Sequence, residues 1–84
     1  MGYITMKKEF NKQRFEIGQR IRKLRKRRDF CQEELAQEME VSLSTVSRIE
    51  NGTTRIDAEF LLQLSRVLDV SVDVILGIAS GEKV

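Results

Sequence analysis

Apolar residues recur with a helical period through most of this 84-residue chain. Ile17, Ile21 and Leu24 follow the spacing i, i+4, i+7, which predicts one buried stripe on a helix over about residues 14–28. Gly18 lies beside this stripe, where the missing side chain would let another element come close. No stretch keeps the alternation that is typical of a β-strand. The pattern therefore indicates an all-α fold with one hydrophobic core.

Two short amphipathic helices are predicted in the middle of the chain, on either side of one tight turn. The first covers about residues 32–39 and the second about 43–51, with Ser42 as its N-cap and Gly52 as its C-terminal stop. The apolar positions that we expect to face the core are Leu35, Ala36, Met39, Val46 and Ile49. Two helices joined in this way are the arrangement by which small proteins place a helix in the major groove of DNA.

Two more helices are predicted after a polar loop. Asp57 is the expected N-cap of a fourth helix that runs to about Leu68, and Ser71 is the expected N-cap of a fifth over residues 72–76, which Gly77 ends. The fourth helix carries more apolar residues than one core-facing stripe requires. Part of its surface is therefore available to a partner.

The helical pattern divides the chain into three parts. We expect residues 1–12 to form an N-terminal arm, residues 13–77 to form the helix-turn-helix domain, and residues 78–84 to form a C-terminal tail. The single cysteine, Cys31, cannot form an internal disulfide, and histidine is absent, so no metal or cofactor is predicted. No apolar run approaches the roughly 20 residues that span a bilayer. These features favour a protein of the reducing cytoplasm without a membrane partner.

The formal charge of +2 conceals an uneven distribution. Through Arg28 the chain has 11 Lys and Arg against two Glu, whereas from Asp29 onward it has 4 Lys and Arg against 11 Asp and Glu. A basic segment of this kind is compatible with a polyanionic partner. The alternative is that these cations solvate the outer face of the first helix and interact favourably with its C-terminal dipole end.

Four ordered segments carry a further signal: IGQRIRKLR at 17–25, QEELA at 32–36, VSRIENG at 46–52 and LDVSVD at 68–73. Together they resemble the lambda-repressor-like, or Xre/Cro, helix-turn-helix family of prokaryotes and their phages. The resemblance covers about residues 14–77. It implies a compact five-helix DNA-binding domain whose third helix enters the major groove and contacts base edges.

The resemblance also implies which side chains contact DNA. By matching positions, the base-contacting residues are Leu43, Ser44, Ser47 and Arg48. The phosphate-contacting residues are Gln32, Ser42, Asn51 and Arg55. Arg48 is the candidate for a bidentate contact to guanine and Leu43 for contact with a thymine methyl group. Two alternatives stay open: these are ordinary solvated residues, or Leu43 is a half-buried core residue.

A structural ion pair is implied by the same resemblance. Family members often pair an arginine of the first helix with the glutamate before the Asn-Gly turn, and Arg25 and Glu50 occupy those positions.

Three residues depart from the family pattern. Cys31 replaces the usual Ser or Thr cap of the second helix, Glu40 replaces a common turn glycine, and Ile56 replaces a frequent proline. The substitution at Glu40 predicts a left-handed backbone conformation there.

The function that these observations favour is a sequence-specific double-stranded DNA-binding transcriptional regulator, with repression as the expected mode. We expect a homodimer on an inverted-repeat operator with half-sites roughly 34 Å apart, formed through the extra apolar surface of the fourth and fifth helices, for instance Ile75, Leu76 or Ile78. The alternative is that these three residues only cover the core of their own domain. The acidic residues of the second helix leave contact with RNA polymerase open. The alternative is an antitoxin or other interaction module that binds a toxin through residues 1–12 or 78–84 and regulates its own operon. No histidine, nucleophile–base motif or phosphate-binding glycine loop suggests an enzyme.

Overall fold

The computed structural model describes residues 11–78. This part of the chain forms five α-helices and no strand: α1 (Lys12–Arg27), α2 (Gln32–Met39), α3 (Leu43–Asn51), α4 (Ala58–Leu68) and α5 (Val72–Leu76). The predicted all-α, five-helix architecture is confirmed. The predicted arm and tail fall almost wholly outside the described residues and stay predictions.

Helix α1 begins two residues earlier than the hydrophobic pattern indicated. The Asn11 side chain accepts a hydrogen bond from the backbone N–H of Arg14 (2.9 Å), which makes Asn11 the N-cap and Lys12 the first helical residue. The helix ends at Arg27, with Arg28 as its C-cap. The apolar stripe could not show this start, because the added turn carries polar residues only.

The other helix termini follow the predicted caps. Ser42, Asp57 and Ser71 each accept a backbone N–H of the first turn of the helix that follows. Gly52 and Gly77 end α3 and α5 in the left-handed conformation, with φ values of 76° and 77°. Local sequence therefore sets where α3, α4 and α5 begin and where α3 and α5 end.

Three turns use a residue other than glycine in the left-handed conformation. Asp29, Glu40 and Asp69 have φ values of 59°, 58° and 58°. Glu40 is the C-cap of α2, and its backbone N–H donates to carbonyl groups of the preceding turn. The left-handed conformation predicted for Glu40 is confirmed. A residue with a side chain adopts this conformation at a cost of about 1–2 kcal/mol, which glycine does not incur.

The core contains the apolar positions predicted for the first three helices together with residues of α4 and α5, except that Ile17 is half-buried and packs against the core. Its buried members are Ile21, Leu24, Leu35, Ala36, Met39, Val46, Ile49, Leu64, Leu68, Val74 and Ile75. Ile75 is 0% exposed. The expectation that Ile75 meets a partner subunit is therefore wrong, since the residue completes the core of its own domain. Leu62 and Ile78, at 52% and 72%, remain exposed.

Helices α1 and α3 approach closely at Gly18. A Cβ atom at Gly18 would lie 2.5 Å from the backbone oxygen of Glu50 and would also clash with the backbone oxygen of Ile49. The close approach predicted at this glycine is thus confirmed. It brings the C-terminal end of α3 directly against the backbone of α1.

Candidate nucleic-acid interface

Helix α3 buries one side and exposes the other. Val46, Ile49 and Glu50 are buried, whereas Ser44 and Arg48 are exposed. Residues 43, 44, 47, 48 and 51 fall within an arc of about 140° on a regular helix. The exposed arc is contiguous, and its side chains are polar except for Leu43.

The four predicted base-contacting residues all lie on this arc, but their exposure differs. Leu43 is the first residue of α3 and is 44% exposed, so it is not one of the buried core residues. Ser44 and Arg48 are exposed and stand one helical turn apart, whereas Ser47 is half-buried. Arg48 therefore offers its guanidinium to a partner more fully than Ser47 can offer its hydroxyl.

The exposed side of α3 also has a favourable charge for a polyanion. The single acidic residue of α3 is Glu50, and it is 1% exposed. Its carboxylate is paired with Arg25 and does not face solvent. The cation of Arg48 and the uncharged polar groups beside it are therefore not opposed by a carboxylate on the same helix face.

The hydroxyl group of Ser42 is already engaged at the start of α3. Its Oγ accepts from the backbone N–H of Thr45 (3.1 Å), lies 2.9 Å from Thr45 Oγ1, and is 3.4 Å from Ser44 Oγ. Ser42 thus acts as the helix cap. A phosphate contact from this residue would have to share its hydroxyl with these bonds.

The remaining predicted phosphate-contacting residues lie in three different places. Asn51 is exposed as the last residue of α3, and Arg55 is exposed in the loop that leads to α4. Gln32 is the first residue of α2 and is half-buried. Its Nε2 donates to Oε1 of Glu50 (3.0 Å), a contact that the resemblance did not imply.

Arg25 and Glu50 form a buried, fork-shaped ion pair. Arg25 Nε lies 2.7 Å from Glu50 Oε2, and Arg25 Nη2 lies 3.1 Å from Glu50 Oε1. Arg25 Nη1 also donates to the backbone oxygen of Phe30 (2.7 Å), which fixes the turn between α1 and α2. The pair therefore joins α1, the α1–α2 turn and α3 beneath the exposed face.

Sequence reasoning missed Gln19. Its Nε2 donates to the backbone oxygen of Glu50 (3.0 Å), so it satisfies a carbonyl group at the C-terminal end of α3. The signal that could have indicated this contact is its position next to Gly18, since a helix that approaches at a glycine also comes within reach of the adjacent side chain.

The start of α2 is capped mainly by Glu34. Its Oε1 accepts from the backbone N–H of Cys31 (2.8 Å), and this bond lowers the pKa of Glu34 below its ordinary value of 4.5. The Cys31 sulfur is a weak acceptor by comparison. In this capping box, the bond accepted by the Glu34 side chain is therefore strong. The bond accepted by the Cys31 side chain, where Ser or Thr is usual, is weak.

The sequence pattern of the helix-turn-helix family matches residues 21–75, which contain all the predicted contact residues. The HTH-type transcriptional regulator SinR of Bacillus subtilis (strain 168) is 44% identical over 61 residues, or 71% of this chain and 55% of SinR. SinR of Bacillus licheniformis gives the same values. The chain thus spans about half the length of these curated relatives.

Solved structures agree with the sequence matches. The restriction-modification controller protein C.AhdI from Aeromonas hydrophila superposes with a TM-score of 0.69 and 30% identity, covering 73% of this chain and 92% of that one. The clp gene regulator ClgR from Corynebacterium glutamicum gives a TM-score of 0.75 and 28% identity, covering 86% and 77%. Among the described residues, no helix has the length and hydropathy to cross a membrane.

Proposed function

The chain therefore belongs to the lambda-repressor-like helix-turn-helix family, and on that basis we propose that it is a sequence-specific double-stranded DNA-binding transcriptional regulator. The observation that carries this proposal is the exposed polar arc of α3, which holds Arg48 and has no carboxylate exposed on the same helix. An α-helix with such a face fits the major groove of B-DNA.

The proposed contacts divide into two kinds. Arg48 donates two hydrogen bonds to guanine, Ser44 bonds a neighbouring base edge, and Leu43 packs against a thymine methyl group. Asn51 and Arg55, at and beyond the end of α3, contact phosphates and set the register of the helix on the duplex. Base contacts then determine which sequence is bound, and phosphate contacts determine how tightly any duplex is held.

A homodimer supplies the remaining affinity, because one helix touches too few bases for a specific site. Two apolar side chains, Leu62 and Ile78, are exposed on and after the helices that follow the helix-turn-helix. Burial of this region between two copies would place two α3 helices on an inverted repeat, with half-sites roughly 34 Å apart. Such a dimer on a promoter acts as a repressor by excluding polymerase.

The antitoxin alternative has less support. The segments that would bind a toxin, 1–12 and 78–84, lie almost entirely outside the described residues. The acidic residues of α2 proposed for contact with RNA polymerase are Glu33, Glu34 and Glu38, and all three are exposed. Glu33 and Glu34 have a simpler explanation, since a carboxylate in the first turn of a helix interacts favourably with the helix dipole. The regulator is therefore the function that the described residues favour.

Selection of bound fragments from random duplex DNA tests the proposal. We expect an inverted repeat to emerge, and binding to it should be tighter than binding to bulk genomic fragments. Arg48→Ala should weaken binding by about 1–3 kcal/mol and relax the preference at one base position in each half-site. Asn51→Ala should weaken binding to all sequences about equally. Arg66→Ala, which removes an exposed arginine of α4, is the matched control.

Two results would contradict the proposal. In one, no selected duplex outcompetes genomic fragments, which would remove sequence-specific binding altogether. In the other, Arg48→Ala binds the same selected sequence with an unchanged base preference, as Arg66→Ala should. The second result would show that the exposed arc of α3 does not contact bases.

A further inference from the structure

The buried carboxylate of Glu50 has two partners on two different helices. Arg25 of α1 forms the ion pair, and Gln32 of α2 donates its amide Nε2 to Oε1 at 3.0 Å. Oε1 therefore accepts from both Arg25 Nη2 and Gln32 Nε2. The second of these bonds is not needed to neutralise the charge, because the arginine fork already does so.

The chemistry of the carboxylate determines which way the Gln32 amide faces. An ionised carboxylate only accepts hydrogen bonds, so it selects the NH₂ end of the amide and rejects the carbonyl end. One N–H of Gln32 is then directed to Glu50. The second N–H is left without a hydrogen-bond partner among the described residues.

From this arrangement we infer that Glu50 is a positioning residue for a phosphate contact made by the second N–H of Gln32. The inference rests on the proposed DNA-binding function. Gln32 is the first residue of α2 and Glu50 lies near the end of α3. The bond between them holds the start of α2 at a fixed place relative to the helix that contacts bases, and the ion pair with Arg25 fixes the position of the shared carboxylate. A phosphate bound by Gln32 is thereby tied to the register of α3.

The experiment combines changes on the protein with changes on the DNA. Each phosphate of the selected operator is replaced in turn by a neutral methylphosphonate, and binding is measured for each protein. With the unaltered protein, one replacement should weaken binding about 10-fold through loss of the Gln32 bond. With Gln32→Ala, that same replacement should have no further effect, and the salt dependence should not change, since the amide carries no charge.

The positioning role is tested by the double variant Arg25→Met/Glu50→Met, which leaves Gln32 in place. It removes one positive and one negative charge together, so the net charge of the domain is unchanged. Buried ion pairs can be replaced in this way without loss of the fold. We expect the effect of the methylphosphonate to disappear, as it does in Gln32→Ala. Gln37→Ala, an exposed glutamine of the same helix, should retain it.

Each outcome decides one question. Loss of the methylphosphonate effect in both Gln32→Ala and the folded double variant supports the inference. Its retention in the double variant overturns the positioning role, because Gln32 would then reach the phosphate without Glu50. An operator on which no phosphate depends on Gln32 overturns the contact itself but leaves the proposed function intact. If the unaltered protein selects no duplex at all, the proposed function itself is refuted, and the inference about Gln32 falls with it.

A second measurement applies if the double variant does not fold. In the unaltered protein bound to its operator, the Gln32 side-chain amide should show a scalar coupling across the hydrogen bond to the Glu50 carboxyl carbon in NMR spectra. A coupling that is present in the free protein and preserved in the complex supports the inference. Its loss on DNA binding overturns it, because Gln32 would then leave Glu50 in order to reach the phosphate.

Discussion

Removal of the Arg25 side chain is the most direct test of what holds the exposed face of α3 in place. Arg25 is 6% exposed and Glu50 is 1% exposed. Arg25→Ala would eliminate two hydrogen bonds to Glu50 and one to the Phe30 carbonyl. The Glu50 carboxylate would then be buried with Gln32 as its remaining side-chain donor.

The burial of both partners sets the expected magnitude. Removing one partner of a buried pair typically destabilises a protein by about 3–5 kcal/mol, because it leaves an uncompensated charge. An exposed pair would contribute under about 1 kcal/mol. Since small domains are stable by only about 5–15 kcal/mol, Arg25→Ala should leave a marginal fold. The melting temperature should fall by at least about 12 °C, at the ~4–8 °C per kcal/mol expected for a domain of this size.

Urea unfolding followed by circular dichroism measures this loss, with Arg22→Ala as the control. Arg22 is an exposed arginine of the same helix, so the control matches the change in residue type and helix propensity without burial. The free energy of unfolding of the control should lie within about 0.5 kcal/mol of that of the unaltered protein. If Arg25→Ala and Arg22→Ala differ by less than about 1 kcal/mol, the ion pair does not stabilise the domain and the reasoning from burial is wrong.

Four further predictions concern the turns and the helix contact. Gly18→Ala should destabilise the domain by about 1–3 kcal/mol in thermal unfolding, because the added methyl group meets backbone atoms that cannot move aside. Glu40→Gly should not destabilise it, since φ is 58° there, whereas Glu38→Gly in the helix should cost about 1 kcal/mol. Cys31→Ser should stabilise it by up to about 1 kcal/mol through a stronger cap, and no gain would mean that the thiol caps as well as a hydroxyl. The lowered pKa of Glu34 means that its stabilising bond is complete above pH 4.5 and is lost as the pH falls through the folded-state pKa. Glu34→Gln should therefore reduce stability at neutral pH and not in strong acid, and an equal effect at both would contradict this.

Local sequence contained most of the fold. The caps at Ser42, Asp57 and Ser71 and the stops at Gly52 and Gly77 were predictable because each depends on residues within one helical turn. The period of the apolar positions likewise identified the core of the first three helices. What could not be predicted was which residues distant in sequence pack against one another. Periodicity marks a residue as apolar, but it does not tell whether that residue covers its own core or a partner.

The contacts of the candidate interface show the same limit. The resemblance implied the Arg25–Glu50 pair, but the bond from Gln32 to Glu50 joins residues 18 positions apart and the bond from Gln19 joins residues 31 positions apart. A glutamine has both donors and acceptors, so its type does not identify its partner. Only the placement of three helices around one carboxylate determines it.

Three of the contacts that hold α3 come from α1, which explains how α3 can be both fixed and accessible. Gly18, Gln19 and Arg25 all belong to α1, and each meets α3 at residues 49–50, through close backbone approach, a hydrogen bond to a carbonyl group or the ion pair. Helix α3 is therefore held from behind and near its C-terminal end. Its N-terminal turn is stabilised by the local Ser42 cap instead. Because no element within residues 11–78 covers the arc between the two ends of α3, Ser44 and Arg48 are exposed there on a helix whose position is nevertheless fixed, which is what recognition of a base sequence requires.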